Sequence, residues 1–251
     1  MKFCLALLML AGCGLPILER SYAPPTKEIL FETVQQRRQM VATMRATAKV
    51  DQAAQGGRVK VKVDLAFAEK GRLHIEIHSP LGGTAATLVS DGEHFLFLDS
   101  QRNRFFTGPA CAENVERFLQ VRFAPEEINA ILAGSAPLQG TPVSTRWERR
   151  GGREVLELGA PDGSHETLFL DGKEKVWDLL IAEHRAPNGK TLWRIEHSDY
   201  SENFPARTRV TQQSAHLELR FKSREPNVAL PDELFRLAPP PGFRVETVTC
   251  P

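Results

Sequence analysis

The sequence predicts a mostly β protein: an unclosed antiparallel β-barrel of about eleven strands, with an N-terminal helix and short helices acting as a lid. Three observations carry this. First, apolar and polar residues alternate over long stretches: Val59, Val61, Val63, Leu65 and Phe67 share one face, with Lys60, Lys62 and Asp64 on the other. Strict alternation means one dry face and one wet face. Second, Asp91-Gly92, Asp162-Gly163, Asp171-Gly172, Asn188-Gly189 and Gly151-Gly152 punctuate these stretches, and such dipeptides favour hairpin turns. Third, the helical segments are too few to cover so large a sheet flatly. The sheet must therefore curl over its own apolar face, with the helices closing the opening.

The N-terminus comes first in chain order. Lys2 precedes a short apolar run, Phe3–Met9, and then Leu10-Ala11-Gly12-Cys13. A segment this brief reads as a secretory signal rather than a membrane span. Leu-Ala-Gly-Cys resembles the bacterial lipobox, in which the chain is cut before the cysteine and the cysteine is acylated. The resemblance assigns residues 1–12 to a lipoprotein signal peptide and makes Cys13 the lipidation site. Gly14 stands where inner-membrane lipoproteins carry Asp, which implies an outer-membrane location facing the periplasm. Pro16, Pro24 and Pro25 make residues 13–25 a tether. A single domain, 26–251, follows.

Thr26 can cap a helix, and Leu30, Val34, Val41 and Met44 recur at helical spacing, which predicts one amphipathic helix over about 26–46. From Val50 the period is two. Leu73, Ile75 and Ile77 alternate with Arg72, His74, Glu76 and His78, and Trp177, Leu179, Ile181, Trp193, Ile195, Leu217, Leu219 and Phe221 repeat the pattern downstream. Phe95 and Phe97 alternate with Leu96 and Leu98, so that strand is apolar on both faces. Two short helices interrupt an otherwise up-and-down order. Residues 112–122 bring Val115, Phe118 and Leu119 together. Pro125 opens the second helix, Glu126 and Glu127 favour its positive end, and Gly134 ends it.

The formal net charge is +1, which gives no electrostatic footprint for nucleic acid. Cys4 leaves with the leader. Cys111 and Cys250 remain in a compartment that permits disulfides, and the sequence leaves their pairing open. His74, Glu76 and His78 share a strand face and raise a metal reading. At about 3.3 Å per residue the two histidines stand roughly 13 Å apart, too far for one ion, so a solvated polar face is the simpler account. The sequence contains no nucleophile elbow, Cys-x-x-Cys pair, phosphate loop or zinc-protease helix, and no cofactor is implied. The arginines Arg102, Arg104, Arg149, Arg150 and Arg153 cluster near turns and read as solubilising.

The stretch from His74 to Gly83 also ends in Pro80-Leu81-Gly82-Gly83, which places a leucine at a turn, where polar residues are the norm. Leu81 either folds back on the core or stays wet at a cost of about 1.5–3 kcal/mol of forgone burial. The run from Arg72 to Asp99, the following RFFTG, the helix segment EEINAILAGSAPL and the lipobox are together similar to the LolB outer-membrane lipoprotein receptors. The ending FRLAPPPGFRVETV is similar to their periplasmic partner, LolA. The resemblance implies an unclosed half-barrel that holds lipoprotein acyl chains received from a LolA-like carrier. It also gives Leu81 a role in inserting that cargo into the outer membrane. The inward-facing candidates for the acyl cavity are Phe67, Ile75, Phe95, Phe97, Trp177, Leu179, Trp193 and Ile195, and for any single one of them plain core is the simpler reading. A second reading keeps the fold but has it dock a protein partner with no lipid cargo. A third places an enzyme on the polar face at His74, Glu76 and His78.

Overall fold

The computed structural model describes residues 17–54, 57–173, 175–213 and 215–250. The leader and Cys13 lie outside the described residues. Helix α1 (Lys27–Gln39) is capped by Thr26, whose hydroxyl accepts from the Ile29 N–H, and it buries Leu30 and Val34. It ends well before residue 46. The reason is a distant side chain: the Asn227 carboxamide accepts from the Ala42 N–H and donates to the Met40 carbonyl, which turns the chain out of the helix. Val41 and Met44 keep their buried positions, with Met44 in the first strand.

A first meander follows: β1 (Thr43–Ala54), β2 (Gly57–Ala68), β3 (Arg72–His78), β4 (Thr84–Asp91), β5 (His94–Asp99) and β6 (Arg104–Pro109). Helices α2 (Ala112–Leu119) and α3 (Pro125–Leu132) come next. A second meander comprises β7 (Thr141–Glu148), β8 (Arg153–Gly159), β9 (His165–Asp171), β10 (Leu179–Arg185), β11 (Thr191–Ser201), β12 (Phe204–Gln212) and β13 (Ala215–Pro226), and β14 (Arg244–Thr247) closes the order. All are hydrogen-bonded into one 14-stranded sheet in the order β14-β6-β5-β4-β3-β2-β1-β13-β12-β11-β10-β9-β8-β7. The strands thus exceed the expected eleven, and the order is not purely up-and-down. The α2–α3 segment crosses the concave side from one sheet edge to the other, and β13 returns to pair with β1, joining the two meanders.

The concave face carries one continuous apolar core, which α1, α2 and α3 cover. Helix α1 plugs the half formed by the second meander, touching β7 and β8 and pairing Arg37 with Asp178. The segment before it runs along the same half. Leu18 pairs its N–H with the Arg149 carbonyl, and the Arg20 guanidinium meets both oxygens of buried Glu154 at 2.7 and 2.8 Å.

The convex face is not wholly solvated. The chain after β13 straps across it. A 3-10 turn, Asp232–Phe235, sets Phe235 on Ala68 and Val89, with Leu96, Leu230, Leu234 and Leu237 around it. This explains the doubly apolar β5: Leu96 faces the strap, while Phe95 and Phe97 face α2. The strap then adds β14 in parallel to the β6 edge, which shields that edge from pairing with other chains. Gly108 permits the close approach, since a Cβ there would stand 2.3 Å from the Val248 carbonyl oxygen. Cys250 is disulfide-bonded to Cys111, the residue that caps α2.

Candidate functional site

Between the concave face and the lid lies a cavity of about 260 Å³. Its walls come from alternate positions of neighbouring strands: Val50 of β1, Val61, Val63 and Leu65 of β2, Ile75 and Ile77 of β3, Val210 of β12, and Leu217 and Leu219 of β13. Its roof is Phe118 and Leu119 of α2, Val121 and Phe123 of the linker, and Ile128, Ile131 and Leu132 of α3. Burial is graded along β2. Leu65 and Val63 are buried, Val61 is half-buried, and Val59 is 54% exposed. The cavity therefore has a dry floor and an apolar lip, and the lip lies where β1 meets β2.

Side-chain amides latch the roof at that lip. The Gln52 carboxamide donates to the Leu119 carbonyl at 2.6 Å. The Gln212 carboxamide accepts from the Arg122 N–H at 2.6 Å and donates to the Arg122 carbonyl at 3.2 Å. Gln120, in the left-handed region at φ 56°, ends α2 between these two latches. The far side of the lid is held by buried titratable groups. His197 is fully enclosed. Its Nε2–H donates to the Ser135 carbonyl at 2.9 Å, and Nδ1 accepts from the Thr208 hydroxyl at 3.0 Å. Burial pushes its pKa down to about 4, so the imidazole is neutral. Glu166 accepts from the Gln139 N–H at 2.9 Å, and burial raises its pKa to about 8.

Leu81 stands at the same strand ends as the lip. It is 99% exposed. Its loop is tightly built: the Ser79 N–H donates to the Gly83 carbonyl at 2.9 Å, the Gly82 N–H donates to the Ser79 carbonyl at 3.0 Å, and the Ser79 hydroxyl accepts from the Leu81 N–H at 3.2 Å. Gly82 and Gly83 have φ of 99° and 74°, with open space where a Cβ would sit. The two glycines serve the turn, and the turn aims Leu81 outward.

Of the residues nominated from sequence for the cavity, Ile75 lines it. Phe67 is buried at the other end of β2, beside a polar cleft with Arg38, Lys70 and Glu126. Phe95 and Phe97 pack behind the roof, with ring centroids 5.2 and 4.2 Å from that of Phe118. Trp193 stands behind Phe123 at 6.0 Å and stacks on His184 at 5.4 Å. Trp177 donates its indole N–H to the Tyr22 hydroxyl at 3.2 Å, and Leu179 and Ile195 are buried in the core. Seven of the eight thus belong to the buried core and stand outside the lining of this cavity. Parity identifies the inward face of a strand; it does not show which part of that face a helix fills. The residues missed, Val50, Val61 and Leu217, carried a usable signal: they continue the dry face into strand ends that polar residues surround.

The polar face at His74, Glu76 and His78 sends its side chains to separate partners. His74 Nδ1 donates to the Leu234 carbonyl of the strap at 2.8 Å, Glu76 accepts from Thr84, and His78 meets Asp64 at 2.7 Å. Among the described residues, no three His, Cys, Asp or Glu side chains are grouped as for a metal ion.

Comparison with solved structures decides the fold. A LolA superfamily protein from Nitrosomonas europaea superposes with a TM-score of 0.59 at 14% identity, over 85% of this chain and 99% of the other. The fold is LolA-like. A Vibrio parahaemolyticus domain described as a putative outer-membrane lipoprotein-sorting protein matches this chain with a TM-score of 0.58 at 14% identity, covering 83% and 97% of the two chains. A Desulfovibrio piger protein, from a family defined only as a domain of unknown function, matches with a TM-score of 0.58 at 10% identity, over 83% and 96%. No family profile and no curated protein matches the sequence. At these identities the likeness is one of fold, and LolA-like architecture does not by itself assign an activity.

Proposed function

We propose that this chain is an outer-membrane lipoprotein, anchored through acylated Cys13 in the inner leaflet. It takes the acyl chains of other lipoproteins from a LolA-like periplasmic carrier and releases them into the outer membrane through the Leu81 loop. One observation carries the reading: an apolar cavity opens at a lip on the same strand ends as a fully exposed leucine. Burial supplies the affinity, at about 0.8 kcal/mol for each methylene removed from water. The cavity exceeds the roughly 150 Å³ that suffices for benzene in an engineered core. It holds part of one chain as it stands, so longer cargo needs the latched roof to lift.

The test is transfer of a radiolabelled lipoprotein from its soluble carrier to the Cys13→Ala chain, and then onward to vesicles. The parent should accept cargo and deliver it. Val63→Trp should fill the cavity and abolish acceptance. Leu81→Glu should accept normally and deliver on the order of tenfold to a hundredfold less, the equivalent of one buried leucine. A folded parent that accepts nothing sinks the proposal. It would favour the second reading, docking of a protein partner without lipid cargo, for which the small volume of the closed cavity speaks.

A further inference from the structure

The convex side of the same strand ends carries a row of cations, two of which stand outside the ion pairs of the fold. Cross-strand register places His78 opposite Lys62, Lys62 opposite Lys49, Lys49 opposite Arg220 and Arg220 opposite Arg207. Like charges directly opposite one another in a sheet are destabilising. The next row shows the usual remedy, since Lys60, Asp51, Glu218 and Arg209 mix signs. The acids nearby are already engaged. Asp51 pairs with Arg58 and Lys60, Glu218 with Arg207, Arg209 and Arg220, and Asp64 with His78. Among the described residues, Lys49 and Lys62 make no ion pair, and both are exposed. They line a surface groove of about 570 Å³ whose wall includes Ser79 and Pro80, the residues leading to Leu81.

We propose that Lys49 and Lys62, with Arg220 beside them, form a headgroup strip for anionic phospholipid. The occupant follows from what the strip adjoins. An acidic protein would satisfy the charge but not the apolar tip beside it, whereas a bilayer offers phosphate at its surface and hydrocarbon beneath. One leucine gives weak, reversible attachment, and a basic patch supplies the second contact that stable membrane binding needs. The inference deepens the delivery reading and rests on it, because it assigns the lipid composition that the loop seeks.

The experiment is flotation of the Cys13→Ala chain with vesicles of phosphatidylethanolamine alone, or of phosphatidylethanolamine with phosphatidylglycerol. The parent should bind the anionic vesicles more tightly, and added salt should erase the difference. Lys49→Ala/Lys62→Ala should lose roughly thirtyfold in affinity for the anionic vesicles, at about fivefold per basic residue. It should bind neutral vesicles as the parent does, and it should melt no lower, since it relieves a like-charge pair. A parent indifferent to phosphatidylglycerol overturns the proposal, as does a double variant that floats as well as the parent. Binding to polyglutamate as tight as to anionic vesicles also overturns it and reassigns the row to an acidic protein. Leu81→Glu on neutral vesicles tests the delivery reading separately. Loss there with no phosphatidylglycerol effect in the parent leaves delivery standing without the strip, and the reverse pattern leaves the strip without the loop.

Discussion

His197 and Glu166 hold the exit of the lid, and each is a charge suppressed by burial, so each writes its own pH dependence on stability. His197 has a folded pKa depressed to about 4, below the ordinary histidine value of about 6.5. Its neutral form is the one that folds, so its contribution is complete above pH 6.5 and is lost as the pH falls toward 4. Glu166 runs the other way. Its folded pKa is raised to about 8, so the folded chain holds a proton that the unfolded chain has released, and stability falls as the pH rises from about 4.5 to 8. Denaturation midpoints across pH should therefore separate two variants. His197→Gln should flatten the acid limb between pH 6.5 and 4. Glu166→Gln should gain most over the parent near pH 8 and little at pH 5. A Glu166→Gln gain that does not grow with pH would show that the carboxyl is ionised in the fold. Neither role was legible in the sequence. His197 sits between Glu196 and Ser198 with no motif around it, and its enclosure depends on Ser135, which lies 62 residues away.

The lid is where elements decide access. Its roof is fixed at the α2 end by the disulfide at Cys111 and at the α3 end by His197 and Ser135. The linker between the helices is held at the lip by Gln52 and Gln212. The linker is therefore the element that can lift while both helices stay seated. Gln52→Ala/Gln212→Ala removes three hydrogen bonds, each contributing about 0.5–1.5 kcal/mol. Amide exchange over Val121–Phe123 should accelerate, and uptake of a fluorescent fatty acid should quicken, while exchange in β8 and β9 changes less. Faster exchange without faster uptake would show that the cavity does not fill from this lip. Much at this scale was written in the sequence. The alternation over Val59–Phe67, the Pro125 start and Gly134 end of α3, and the Pro80–Gly83 turn are local patterns, and each element formed where its pattern lies. The overrun of α1 had a non-local cause. Val41 and Met44 do fit a helical stripe, but Asn227, after the last long strand, claims the backbone at Met40 and Ala42.

At the scale of the whole molecule, the C-terminal strap ties parts that the sheet alone leaves apart. It crosses the convex face on Phe235, adds β14 to the open edge at β6, and ends on the N-terminal cap of α2. The sequence showed two cysteines beyond the lipobox and a long tail; it did not show that residues 139 apart meet, because that depends on how far the sheet curls. A crosslink over so long a loop stabilises chiefly by restricting the unfolded chain, with a typical magnitude of about 2–5 kcal/mol. Cys250→Ser should therefore lose about that much in urea denaturation. Reduced parent should fall to the level of the variant, and reduced and oxidised variant should coincide. The loss should also be local. Freed from Cys111, β14 leaves β6, so amide protection over Arg104–Thr107 should drop more than over β8 or β9, which the strap never touches. Uniform loss across the sheet would mean that the bond acts on the unfolded state alone. Loss concentrated at β6 and α2 would mean that it also seats the lid, and cargo uptake should then be altered in the same variant.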